Sequence, residues 1–158
     1  MRKDLNTWAK PIIGQKHSGR LVMNQIAVVG GAGFIGTALA RHLSKFFNVK
    51  ILDIKSPPEF LLGKVEFYQC NLMDYKSLAQ VLKDADLVIH AAIVQIPRIN
   101  EAKRAGYEVN VVGLQNVCEV VAKEPSIKGL ILAGSWHVIG ERELKGVISE
   151  EFGFRPDK

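Results

Sequence analysis

At 158 residues the chain has the length of one domain with a sizeable core, and its 47% apolar and 23% charged content is that of an ordinary globular protein. The net charge of +5 would point to a nucleic-acid partner if it covered one face, but residues 1–22 carry Arg2, Lys3, Lys10, Lys16 and Arg20 against Asp4 alone. That tail accounts for +4, the remainder is near neutral at +1, and no basic face or nucleic-acid partner is expected. No apolar run approaches the ~18–20 residues of a membrane span, and residues 1–22 lack the continuous apolar centre of a secretory signal. His17, His42, His90 and His137 are scattered without paired ligand spacing, so no metal site is expected. Cys70 and Cys118 lie in apolar stretches without CxxC spacing and read as buried free thiols in a reducing compartment, the cytoplasm.

The opening segment, MRKDLNTWAKPIIGQKHSGRLV, holds no sustained period, and Met23 sits two residues before the first strand. Residues 1–22 are therefore expected to be a disordered extension or an upstream artefact, with a transit peptide as the lesser alternative, ahead of a domain over 23–158. IAVVG (26–30) reads as the first strand, and residues 34–46 set Ile35, Leu39, Leu43 and Phe46 on one helical stripe. VKILDI (49–54) is the second strand, closed by Ser56, Pro57 and Pro58. VEFYQC (65–70) is a third, after which Asp74 is placed to cap a helix carrying Leu78, Val81 and Leu82. DLVIHAA (86–92) is a fourth strand, apolar enough to be buried on both faces. A long helix spans about 100–122, and GLILAGS (129–135) is the fifth strand. This alternation predicts an α/β fold, a Rossmann-like doubly wound parallel sheet. Right-handed crossovers give the strand order 3-2-1-4-5, incomplete on the C-terminal side, with the ligand at the carboxyl ends of strands one and four.

The residues IAVVGGAGFIG (26–36) carry the functional signal. Gly30, Gly33 and Gly36 follow an apolar strand at three-residue spacing and lead into a helix, an arrangement that aims backbone N–H groups and a helix N-terminus at an anion. Gly30 permits the turn, Gly33 lets the backbone approach a pyrophosphate, and Gly36 lets the helix pack closely on its strand. Asp53 follows Gly30 by 23 positions at the end of the second strand, where the adenosine ribose of a dinucleotide presents its hydroxyls.

Beyond the glycine turn, CNLMD (70–74), IHAA (89–92), VNVVGLQNV (109–117) and SWHVIG (135–140) stand in the order found in one known family. With GGAGFIG and Asp53 they make the chain resemble the extended short-chain dehydrogenases/reductases, which include nucleotide-sugar epimerases and dehydratases. The resemblance implies that Gly30, Gly33 and Gly36, with the backbone of Phe34 and Ile35, hold a pyrophosphate. It implies that Asp53 holds the adenosine ribose and favours NAD over NADP, a preference Lys55 would soften. Asn71 stands where the family often has an acid, with Leu72 the following leucine near adenine, and Asp74 aligns with a second acid that a helix cap also explains. Ala91 and Ala92 would line the nicotinamide ribose, with His90 as a core residue, and Asn110 would support the site through local backbone. Ser135 matches the catalytic serine that orients the substrate oxygen, while Gly134 and Ile139 depart from the usual second serine and tyrosine. Trp136 and His137 would contact substrate or pack the loop.

The family's acid–base tyrosine, with a lysine four residues later, has no match, because Tyr68, Tyr75 and Tyr107 are followed at that distance by Leu72, Ala79 and Val111. In relatives the pair comes shortly after a segment like EEFGFRPDK (150–158). The chain is thus expected to be the cofactor-binding part of a longer NAD-dependent nucleotide-sugar epimerase or dehydratase. The alternatives are a non-enzymatic dinucleotide sensor, or a hydroxysteroid or aldehyde reductase of the same superfamily. Val109, Val111, Val112, Leu114, Val117, Val120 and Val121 make the 100–122 helix apolar almost all round. The resemblance implies that it helps form a homodimer in the parent enzyme, and strand five is expected to be left as an unprotected edge.

Overall fold

A computed structural model describes residues 23–140 and 146–149, so the expectations for residues 1–22 and 150–158 lie outside the described residues. Five parallel strands form one sheet: β1 (Gln25–Val29), β2 (Asn48–Asp53), β3 (Glu66–Gln69), β4 (Leu87–His90) and β5 (Gly129–Leu132). Their order is β3-β2-β1-β4-β5, as the alternation predicts. Helix α1 (Phe34–Leu43) connects β1 to β2, and α2 (Tyr75–Leu82) connects β3 to β4. β1 and β2 keep the length of their apolar runs but begin one residue earlier, whereas β3, β4 and β5 run two to three residues shorter, because ladder pairing ends before the apolar sequence does.

β1 is the centre of the sheet, and Ile26, Ala27, Val28 and Val29 are all buried because both sheet faces are covered. Ala27, Val29, Leu52 and Val88 pack on one face against Leu78, Leu82, Val117 and Val120. Ile26, Val28, Val49 and Ile51 pack on the other against Ala40, Leu39 and Leu43 of α1. Each of the valine, leucine and isoleucine side chains contributes about 1.5–3 kcal/mol by leaving water. Lys50 is buried on β2, which pushes its ammonium below the usual lysine range, while Asp84 and Glu66 oppose the shift.

Several expectations are corrected. Helix α1 ends at Leu43 with Ser44 as its cap, so Phe46 lies beyond it and is exposed; Ile35, in the first turn, is exposed as well. Only Leu39 and Leu43 of the four-residue stripe reach the core. Cys118 is exposed rather than buried; Cys70 is buried, and burial pushes its thiol up. The single long helix is four pieces: α3 (Arg98–Glu101), α4 (Lys103–Tyr107), a π-helical stretch (Glu108–Gly113) and α5 (Leu114–Lys123). The break falls at Ala102, whose φ −134° and ψ 62° are not helical. The valines are not apolar all round in effect: Val117 and Val120 are buried, Val109 and Val121 pack partly, and Val111 is exposed. Strand β5 pairs with β4 alone among the described residues, and Ile131 and Leu132 are half exposed.

Asp86 ties three segments together at the end of the sheet away from the glycine turn. Its Oδ2 accepts from the Asn24 and Gln25 N–H groups at 2.8 and 3.0 Å, and Lys128 Nζ donates to Oδ1 at 2.6 Å. The Lys128 ammonium, then the two amides, hold the carboxyl well below the usual aspartate range. A depressed carboxylate stabilises the fold above its unfolded value near ~3.9, and that contribution fades as pH falls towards the folded value. Asp86→Ala should therefore cost about 1–2 kcal/mol at pH 7, discounted for partial exposure. Urea unfolding from pH 7 to pH 3 should show the difference from wild type shrinking on the acid side.

Candidate functional site

The parallel register brings the carboxyl ends of β1, β2 and β4 together, since Val29 lies opposite both Leu52 and His90. Immediately past this line the chain must turn. Gly30 does so at φ +78°, its N–H donating to the Leu52 carbonyl at 2.8 Å. A Cβ on Gly30 would sit 2.6 Å from the Ala92 backbone, so the residue is glycine both for its dihedral and for its neighbour. Gly36 allows α1 to close on the turn, because a Cβ there would stand 2.1 Å from the Gly30 carbonyl oxygen. Gly31, whose role the three-residue spacing does not reveal, meets Ile51 of β2, with 2.4 Å between its hypothetical Cβ and the Ile51 Cβ.

Gly33 caps α1 without a side chain and is itself exposed. The first-turn N–H groups of α1 have no intrahelical partners by helix geometry and no side-chain cap; Gly33 at this positive helix end lines the crevice, while Phe34 lines a separate cavity. Asp53 closes β2 beside the turn. Its Oδ2 accepts from Ala32 N–H at 3.0 Å and its Oδ1 from Lys55 N–H at 3.1 Å, which fixes the carboxylate against the loop. A crevice of about 410 Å3 opens here, lined among others by Gly30, Gly33, Asp53, Asn71, Leu72, Ala91 and Ala92. It lies where the strand order reverses, between the ends of β1 and β4.

The sequence-predicted residues are brought together unevenly. Phe34 and Ile35 contribute backbone at the turn while their side chains face solvent. Asn71 Oδ1 accepts from Met73 N–H at 3.0 Å, and Leu72 is buried beneath it. Asp74 caps α2, accepting from Ser77 N–H at 3.2 Å. Asn110 does not line the crevice. Its Oδ1 accepts from Val94 N–H at 2.8 Å and its Nδ2 donates to the Val94 carbonyl at 2.9 Å, so it pins the loop after β4 that forms one wall. Ser135 follows β5, exposed and outside that lining, and Trp136 begins the short turn after it. His90 is buried with Nδ1 unpartnered, and burial pushes its imidazole below the usual histidine range.

Three further residues bear on the crevice. Asn116 Nδ2 donates to the Leu72 carbonyl at 2.7 Å, and Gly113 lets the helical segment approach Leu72, with 2.9 Å between its hypothetical Cβ and the Leu72 Cβ. Arg98 lines the wall opposite the glycine turn's strand, and nothing in its spacing marks it in advance. Among the described residues no three His, Cys, Asp or Glu side chains are grouped to hold a metal ion. No helix among them is long and apolar enough to cross a membrane.

A family model described as the NAD dependent epimerase/dehydratase family matches residues 26–156. The chain belongs to that family. Its sequence is 34% identical over 115 residues to the bovine (Bos taurus) sterol-4-alpha-carboxylate 3-dehydrogenase, decarboxylating, covering 72% of this chain and 31% of that protein. It is 30% identical over 105 residues to bovine mitochondrial L-threonine 3-dehydrogenase, covering 63% of this chain and 28% of that one. The chain thus spans about a third of the length of these relatives. The fold is that of the UDP-glucose 4-epimerase from Brucella ovis, solved in complex with NAD, at a TM-score of 0.73 and 23% identity. That likeness covers 85% of this chain and 42% of the epimerase.

Asn110→Leu should release the Val94 loop by removing both side-chain bonds to the backbone. Two lost bonds of about 1 kcal/mol each predict a dinucleotide affinity weaker by roughly tenfold or more. Calorimetric titration checks this, with circular dichroism verifying that the sheet persists.

Proposed function

We propose that the chain is the NAD-binding portion of an NAD-dependent nucleotide-sugar epimerase or dehydratase. The observation that carries the cofactor part is the glycine turn between β1 and α1. It leaves an uncapped helix end over a crevice whose β2 wall finishes in a fixed carboxylate, Asp53. These residues fit a dinucleotide: a charged diphosphate meets N–H groups, and two ribose hydroxyls meet an acceptor. Gly30, Gly33, Gly36 and the Phe34 and Ile35 amides would hold the diphosphate. Asp53 would accept from the ribose, and its charge disfavours the 2′-phosphate of NADP. Asn71 and Leu72 would flank the adenine, and Ala91 and Ala92 the nicotinamide ribose.

When bound, NAD supplies a hydride acceptor. The part left to this chain is to orient: Ser135 would donate a hydrogen bond to the substrate oxygen that becomes a carbonyl. The tyrosine and lysine that would move the proton are not among these 158 residues, so the chain by itself is expected to bind NAD without turnover. In the longer enzyme the 100–122 region is proposed to join two copies, in the cytoplasm.

A second substrate reading, a hydroxysteroid or other secondary alcohol, is favoured by the 34% identity to the bovine sterol dehydrogenase, whereas the epimerase likeness at 23% carries fold alone. Assays on the protein encoded by the gene read to its stop codon separate these. An epimerase interconverts UDP-sugars without net NADH, whereas a sterol dehydrogenase accumulates NADH absorbance with a 3β-hydroxysterol. A protein that binds NAD, transforms neither and lacks a YxxxK segment would be the non-enzymatic sensor.

A further inference from the structure

A second cavity, about 630 Å3, lies outside the crevice, between α1 and the Pro58–Phe60 segment. Phe34, Ala38, Arg41 and Lys45 recur at four-, three- and four-residue intervals, so they share one face of α1 and the turn that follows it. His42 stands beside them, and Phe60 faces them from the opposite wall. An adjoining cavity shares Arg41, Lys45 and Phe60 and adds Lys64. No carboxylate lines either cavity, and among the described residues none of Arg41, Lys45 and Lys64 enters an ion pair. The near neutrality of residues 23–158 is an average over the domain, and folding sets these three cations beside one groove.

The groove also holds apolar rings. Phe34 is 92% exposed and Phe60 48%. One exposed phenylalanine is ordinary. Two of them on a groove of unpaired cations, with a volume in the ~300–1,000 Å3 range of small-molecule sites, match a flat ring joined to a chain of phosphates. The ring would stack on Phe60, and the phosphates would meet the Arg41 fork and the Lys45 ammonium. Ala32 and Gly33 line both this groove and the dinucleotide crevice, so the glycine turn is a wall common to the two.

We propose that this groove is a second binding site, for a nucleoside polyphosphate, distinct from the crevice. Phosphate could reach it from a free nucleotide or as the 2′-phosphate of NADP; the site is assigned to the free nucleotide. The test is calorimetric titration of the 158-residue chain with ATP in EDTA, with and without saturating NAD. ATP should bind in both cases. The charge reversal Arg41→Glu with Lys45→Glu should weaken ATP by at least about tenfold, some 1.4 kcal/mol, and leave the NAD affinity unchanged. Arg41→Lys with Lys45→Arg, which keeps the charge, should retain ATP. Phe60→Ala should weaken ATP but not tripolyphosphate, which has no ring to stack. Four results would overturn the proposal: no ATP binding, ATP competing with NAD, ATP indifferent to the charge reversal, or the reversal weakening NADP but not ATP. If NAD fails to bind while ATP binds and responds to the reversal, the dinucleotide reading falls and the groove stands.

Discussion

Gly36→Ala should abolish measurable dinucleotide binding and lower the unfolding midpoint, although it adds a single methyl group. The Cβ would stand 2.1 Å from the Gly30 carbonyl oxygen and 2.7 Å from Gly31 Cα, both backbone atoms of the turn itself. No rotamer relieves a backbone clash, so α1 must lift from β1. The lift carries Ala40, Leu39 and Leu43 away from Val28 and Ile51. Overpacking of this kind costs about 1–3 kcal/mol of stability, and the displaced helix end no longer faces the crevice. Helix propensity acts in the opposite direction, favouring alanine by about 1 kcal/mol, and at this contact it loses. Gly63→Ala is the matched control: its Cβ meets nothing within 4 Å, so only its φ of +76° opposes the change. Thermal unfolding and NAD titration should show Gly36→Ala impaired in both and Gly63→Ala reduced in stability alone.

The second large effect belongs to Asp53. Its two oxygens accept from Ala32 and Lys55 amides, so the carboxylate is anchored to the glycine loop before any ligand arrives. Asp53→Ala should remove acceptor and anchor together, weakening NAD by about 10- to 100-fold for a loss of some 1.5–3 kcal/mol. Asp53→Asn keeps one acceptor but no charge. It should therefore lose less NAD affinity while gaining NADP affinity, because the repulsion of a 2′-phosphate is gone. Parallel NAD and NADP titrations of the three proteins read the ratio directly. Equal affinity for both cofactors in the wild type would remove Asp53 from the ribose.

The strand order was legible because each strand carries an apolar run and each break between strands carries a glycine, proline or capping aspartate. The site was legible at Gly30, Gly36 and Asp53 for a related reason: a sharp turn, a close helix contact and a strand-end acid each demand a particular residue type at a particular spacing. The 98–123 region resisted reading. Its valines fit a continuous helix, but no local period announces the break at Ala102, and the π turn holding Asn110 and Gly113 meets the distant partners Val94 and Leu72. The same holds for Asn116, whose amide reaches back 44 residues to the Leu72 carbonyl. Exposure of Phe46 was missed because α1 ends early, whereas Ile35 in the first turn of α1 and Cys118 within α5 lie on helix sides turned to solvent, which apolar character alone does not reveal. The basic groove was invisible for a different reason. Net charge counts residues, whereas a groove depends on which cations the fold sets side by side.

The most direct measurement is a titration of the isotopically labelled chain with NAD, followed by amide NMR. If a diphosphate docks on the uncapped end of α1, the largest shifts fall on the amides from Gly30 to Ile35, with Asp53 and Lys55 next. Saturating changes confined to other amides, with the 30–35 turn unmoved, would contradict the account.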